Sequence, residues 1–209
     1  MRKTLLILLF LNASLSYAQF PLHKNSVRAT VDYMTLSNPE DAGLRFSVQA
    51  ARHFLNDRFV IAASLGYLTY STDQQTFTDV PLGQDQRTRL TGDLTFLYDF
   101  LPSNRHALRA GAGPSLWYRD DDVLTGYYLV RLPDGSLATT SVQRERQQTN
   151  DFGYHLTVEY EYLIKPNISL HSRIGYADLV NGGISGMAGL GVGYRFSFKK
   201  RTVAQPVSQ

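Results

Sequence analysis

The sequence predicts an all-β fold, an eight-stranded antiparallel up-and-down transmembrane β-barrel with short periplasmic turns and longer external loops. Three observations predict it. From Arg89 to Phe100 polar and apolar residues alternate, and after the turn-forming run Pro102-Ser103-Asn104-Arg105 the alternation resumes from Leu108 to Arg119. Each arm of that hairpin reaches the roughly 9–11 residues a tilted strand needs to cross a bilayer. Connections between such segments alternate short and long along the chain, as turns and loops at opposite ends of a barrel do.

The elements follow in order. Met1-Arg2-Lys3, the apolar run Thr4 to Leu11 and Ser16-Tyr17-Ala18 predict a signal peptide over residues 1–18, cleaved after Ala18. The run is too short for a spanning helix, which needs about 20 residues. A barrel domain is expected over residues 19–198 and a basic, polar tail over 199–209. Ser26 to Leu36, Gly43 to Phe54 and Phe59 to Tyr70 give the first three strands, the third with a small inner face of Val60, Ala62, Ser64, Gly66 and Leu68. The hairpin from Arg87 to Arg119 supplies the fourth and fifth. Asp151 to Ile164, Ile168 to Tyr176 and Ala188 to Phe198 complete eight, and an even number returns both ends to one side. Tight links fall near Asn56-Asp57, Pro102 to Arg105 and Lys165 to Asn167. Longer ones fall at Ser37 to Ala42, Ser71 to Gln86, Asp120 to Asn150 and Val180 to Gly186.

Charge and cysteine usage narrow the function. With Arg2 and Lys3 in the leader and Lys199-Lys200-Arg201 in the tail, 21 basic residues fall to 16 in the body against 18 acidic, so no nucleic-acid partner is expected. The chain has no cysteine. Disulfides and thiolate catalysis are excluded, and a closed ladder of backbone hydrogen bonds is the expected source of stability.

The run Gly189-Leu190-Gly191-Val192-Gly193-Tyr194-Arg195-Phe196 is similar to the closing strand of small outer-membrane barrels. The mature chain resembles the small eight-stranded bacterial outer-membrane β-barrel family, the OmpA-like, OmpX-like and porin-family barrels. That resemblance implies a monomer in the outer membrane of a Gram-negative cell, surrounded by outer-membrane lipid, with surface partner proteins met through the external loops. It implies a structural or surface-interaction role with a plugged or narrow lumen. The alternatives are a narrow porin-like channel for small solutes and a lipid A-modifying enzyme. Against the enzyme, Arg173 and Gly175 stand where a lipid A deacylase motif aligned on Ala177 has its histidine and serine.

Two sets of residues are candidates for function. Arg28, Asp32, Arg45, Arg89, Asp93, Asp99, Arg109, Glu159, Glu161 and Arg173 fall on the inner face and are expected to pair, with Arg109 and Asp93 the first pair to examine. Tyr127, Tyr128, Val130 and Leu132, before the turn Pro133-Asp134-Gly135-Ser136, are expected on a protruding hairpin that meets surface partners. No catalytic, cofactor or metal site is expected; His53, His155 and His171 lack metal spacing. Pro114 inside a strand suggests a bulge that would turn Trp117 outward. Gly189, Gly191 and Gly193 are expected to leave room inside for long side chains opposite.

Overall fold

The structure is a computed structural model and describes residues 24–37, 40–73, 84–101, 103 and 105–197. The expected leader with its cleavage after Ala18, the tail, and Pro102 and Asn104 lie outside these residues. The strands are β1 (Asn25–Ser37), β2 (Glu40–Phe54), β3 (Phe59–Asp73), β4 (Gln84–Asp99), β5 (His106–Arg131), β6 (Leu137–Lys165), β7 (Ile168–Leu179) and β8 (Gly183–Phe196). Each is antiparallel to its chain neighbours, and β8 returns to pair with β1, closing the barrel. Closure satisfies every ladder, the condition for strands to stand in hydrocarbon.

The period-two pattern decides which side faces where. Leu94, Phe96 and Leu156 point outward, Phe96 with 53% of its surface exposed, while Thr95, Leu97 and Thr157 point inward and are buried. Aromatic side chains form two outward belts. Phe59, Tyr98 and Phe100 stack edge to face at 5.0–5.1 Å near the turns, and Tyr33, Tyr67 and Tyr154 stand exposed toward the other end. Rings at these two levels suit the membrane interfaces.

The external connections keep much of their extra length as strand. The first ladder runs on to Ser37↔Glu40 and the last to Leu179↔Gly183, so the expected loops at 37–42 and 180–186 contract. Ladder pairing satisfies backbone groups that a loop would leave to water. At the other end, Leu55, Asn56 and Asp57 make the β2–β3 turn with left-handed φ of 48°, 56° and 69°. Asn and Asp tolerate that region, and Asp57 is held by Arg195 at 2.6 Å.

Pro114 produces no bulge. The β4–β5 ladder has the same register on both sides of it, Asp93↔Ser115 and Phe96↔Ala112, and β6 pairs through it at Pro114↔Tyr154. Trp117 therefore points inward and is 2% exposed, which settles an orientation the sequence leaves open. The wall assignment predicts that Leu94→Arg costs about 2–4 kcal/mol, whereas Tyr127→Arg on the external hairpin shifts stability by less than about 0.5 kcal/mol. Denaturant titration of both variants refolded in lipid bilayers checks this.

Candidate functional site

Inside the wall the inward polar residues converge because eight strands leave a bore that side chains fill. Toward the turn end, Glu161 on β6 accepts from Arg28 (3.0 Å), Arg109 (2.5 Å) and Arg195 (2.7 Å), and Glu159 accepts from Arg28 at 2.7 Å. At mid-height Asp32 on β1 joins Arg45 (3.0 Å) and Arg173 (2.5 Å), and Arg45 reaches Asp93 at 3.4 Å. Arg89 bonds Asp121. Asp99 accepts the amides of Leu101 and Leu108 and lies 3.7 Å from Arg109. The ten inner residues expected from the sequence thus fall into three sets of ion pairs, one around Glu161, one around Asp32 and one at Arg89.

The expected pair Arg109–Asp93 does not form. Register places Arg109 opposite Asp99, and Asp93 opposite Ser115, six residues or about 20 Å along the strand. Arg195 was on the predicted inner face but outside the expected set, yet it carries Glu161 and Asp57. Its position two residues beyond Gly193 in the same phase was the available signal.

Glycine makes the room these side chains occupy. A Cβ at Gly189 would stand 2.0 Å from Asp32 Oδ1, and one at Gly191 would stand 2.6 Å from the His171 ring. The small inner face of β3 serves in the same way, since a Cβ at Gly66 would meet Arg45 Cδ at 3.0 Å.

Above the mid-height pairs Trp117 packs with Met34, Leu36, Leu68, Ala177, Leu179 and Met187. These come from β1, β3, β5, β7 and β8, so the apolar cluster crosses the lumen from wall to wall. Below it lies a serine–histidine group. Ser115 Oγ lies 2.7 Å from Asp93 Oδ1 and 2.8 Å from His155 Nδ1, and His155 Nε2 lies 2.8 Å from Thr95 Oγ1. A nucleophilic triad needs the histidine between serine and carboxylate; here the serine lies between.

Outside the barrel β5 and β6 continue as a hairpin. Among the described residues, β5 pairs with β4 only as far as Gln86↔Asp122, and β6 pairs with β7 only from Gly153↔Leu179. Gly135, with φ 85°, turns the tip, and Asp134 accepts the amide (2.9 Å) and hydroxyl (2.6 Å) of Ser136. Those bonds hold the Asp134 carboxyl below its ordinary value. Tyr127, Tyr128, Val130 and Leu132 are exposed, Tyr128 at 62%. Arg144 clamps the root, bonding Asp85 and Asp122 at 3.0 Å each. Asp120, Asp121 and Asp122 are thereby divided among Arg146, Arg89 and Arg144, and among the described residues no metal-binding group of side chains forms.

Residues 4–196 match the family described as outer membrane protein beta-barrel domain. No curated protein matches the chain in sequence. Among solved structures the chain is similar to a major outer membrane protein of Thermus thermophilus (14% identity, 83% of this chain and 98% of that one, TM-score 0.55). It is similar also to OprG of Pseudomonas aeruginosa (11%, 84% and 97%, TM-score 0.54). A third is Ail, the attachment invasion locus protein of Yersinia pestis, solved with the heparin analogue sucrose octasulfate (12%, 83% and 97%, TM-score 0.52). At these identities the likeness is one of fold.

The pairing pattern predicts a coupling energy of about 0.5–3 kcal/mol between Arg109→Met and Glu161→Gln, and additivity within about 0.3–0.5 kcal/mol for Arg109→Met with Asp93→Asn. Double-mutant cycles on refolding stability in bilayers measure both.

Proposed function

The chain belongs to the outer membrane protein beta-barrel domain family, and from that premise we propose that it is a non-enzymatic outer-membrane barrel acting in surface interaction through its β5–β6 hairpin. One observation carries the proposal. Among the described residues the β5–β6 ladder continues furthest beyond its neighbours, from Val123↔Glu145 to Arg131↔Leu137, and the segment is clamped at its root by Arg144.

Chemistry supports a protein partner presenting an extended segment. β6 from Ser141 to Asp151 carries no extra residue and has β5 as its sole strand partner among the described residues. Such an edge is a template for main-chain hydrogen bonding. Register shifts at Leu124/Gly126 and Tyr128/Leu129 twist the upper hairpin, as bulges do, and Tyr127, Val130, Leu132 and Val142 stand exposed around it. These apolar side chains would anchor the partner while the edge fixes its direction.

The lumen we read as closed to solutes, because its charges pair with one another and the Trp117 cluster spans it. That reading disfavours the narrow channel. The order Asp93, Ser115, His155 gives that histidine no carboxylate to orient it, and Ser26, beside the His53 that does have one in Asp57 (2.9 and 3.3 Å), is buried at 1% exposure where no substrate carbonyl reaches it, so neither set favours acyl transfer.

Replacing residues 124–142 by a short turn tests the hairpin. The shortened chain should keep its heat-modifiable gel mobility and lose adhesion of cells that display it. Undiminished adhesion, or a barrel that no longer folds, contradicts the proposal.

A further inference from the structure

The two ends of the barrel differ in charge. At the external end both signs are exposed and bond each other, Arg146 with Asp120 at 2.5 Å and Arg144 with Asp122 at 3.0 Å. At the turn end, among the described residues, every exposed charged side chain is basic: Lys24, Arg52, Arg58, Arg105 and Lys165. The carboxylates at that end turn inward instead. Asp57 bonds Arg195, Asp99 lies beside Arg109, and Glu161 is enclosed by three guanidinium groups.

The five cations form two groups on different arcs of the rim. Lys24 immediately precedes β1 and Arg52 lies on the paired β2, with Asn25↔Arg52 and the His53 amide bonded to the Lys24 carbonyl at 2.8 Å, and Arg58 follows in the next turn. Arg105 and Lys165 flank the foot of the β5–β6 ladder, where the Leu163 amide bonds the Arg105 carbonyl at 2.8 Å.

Arg52 decides what the rim faces. In the alternation of β2 it falls on the outer side with Val48 and Phe54, and it is exposed. Its guanidinium lies 5.5 Å from the centre of the Phe54 ring. A cation on the lipid-facing wall is tolerated only near the interface, and the Phe54 contact draws it toward the strand end. The aromatic belt of Phe59, Tyr98 and Phe100 sets headgroup level around it. Headgroup level is where a bilayer presents lipid phosphates to such a cation.

We propose that the turn end of the barrel binds anionic phospholipid headgroups of the periplasmic leaflet at two sites, one at Lys24, Arg52 and Arg58 and one at Arg105 and Lys165. Guanidinium groups take phosphate oxygens in bidentate fashion, and ammonium groups add charge. With both signs paired at the opposite end, the preference is confined to one leaflet. It also sets the height of the barrel in the membrane.

The experiment refolds the full chain into phosphatidylethanolamine–phosphatidylcholine vesicles carrying trace spin-labelled phosphatidylglycerol or phosphatidylcholine, and compares the fraction of each label immobilised at the protein. The wild type should hold phosphatidylglycerol at least about threefold more strongly, in keeping with cations near an anionic headgroup. The preference should fall steeply when salt is raised to 1 M, where the screening length is about 3 Å. It should disappear in the variant with all five cations changed to Gln, which heat-modifiable mobility shows to be folded. Equal association of the two labels with the wild type overturns the proposal. So does a preference that survives the five substitutions, or binding to isolated cell-wall polymer that the substitutions abolish while lipid selectivity stays unchanged. If the five-fold variant does not fold, the salt dependence of the wild type decides alone.

Discussion

Closure of the ladder is the constraint on which the rest of the molecule depends. In hydrocarbon no water is available to an unpaired amide or carbonyl, so a sheet can stand there only without edges. Pairing of β8 with β1 supplies that condition. It also fixes the inside, because eight strands enclose a bore of side-chain width. Whatever polar residues face inward must then find partners in one another, since leaving one member of a buried pair alone costs about 3–5 kcal/mol.

The inner face meets that demand through an exchange of volumes between strands. Arginines on β1, β2 and β7 are long; glycines on β8 lie across from Arg28 and Arg173, and Gly66 on β3 lies beside the stem of Arg45. Gly189 faces Asp32 at the centre of the Arg45 and Arg173 pairs, and Gly66 faces the Arg45 stem. The carboxylates are shared: Asp32 serves two guanidinium groups and Glu161 serves three. Sharing ties non-neighbouring strands together through the lumen, adding side-chain links to the ladder that joins neighbours.

Much of this was legible in the sequence because the side-chain period of a strand is two, so one reading of the alternation assigns every residue to lipid or lumen. The strands, the outward belt, the inner charge set and the hairpin followed from it. Pairing did not, since it depends on register between strands, and register is fixed by turn geometry that alternation leaves open. Hence Arg109 meets Glu161 and Asp99, and Asp93 meets Arg45. Trp117 is a milder case: Pro114, three residues before it, leaves its orientation open in the sequence, and the continuous register of β6 excludes the bulge that would turn it outward. Arg52 carries no sequence signal because an isolated cation in an apolar phase makes no pattern, and its meaning comes from its height and from the Phe54 ring.

In the function proposed above, paired inner charges and the Trp117 cluster fill the barrel. Planar-bilayer recording of the purified wild-type protein tests it most directly. Insertion, verified by heat-modifiable mobility of the same sample, should bring no steady unit conductance in molar salt. Reproducible single-channel steps that scale with the amount of folded protein would contradict it.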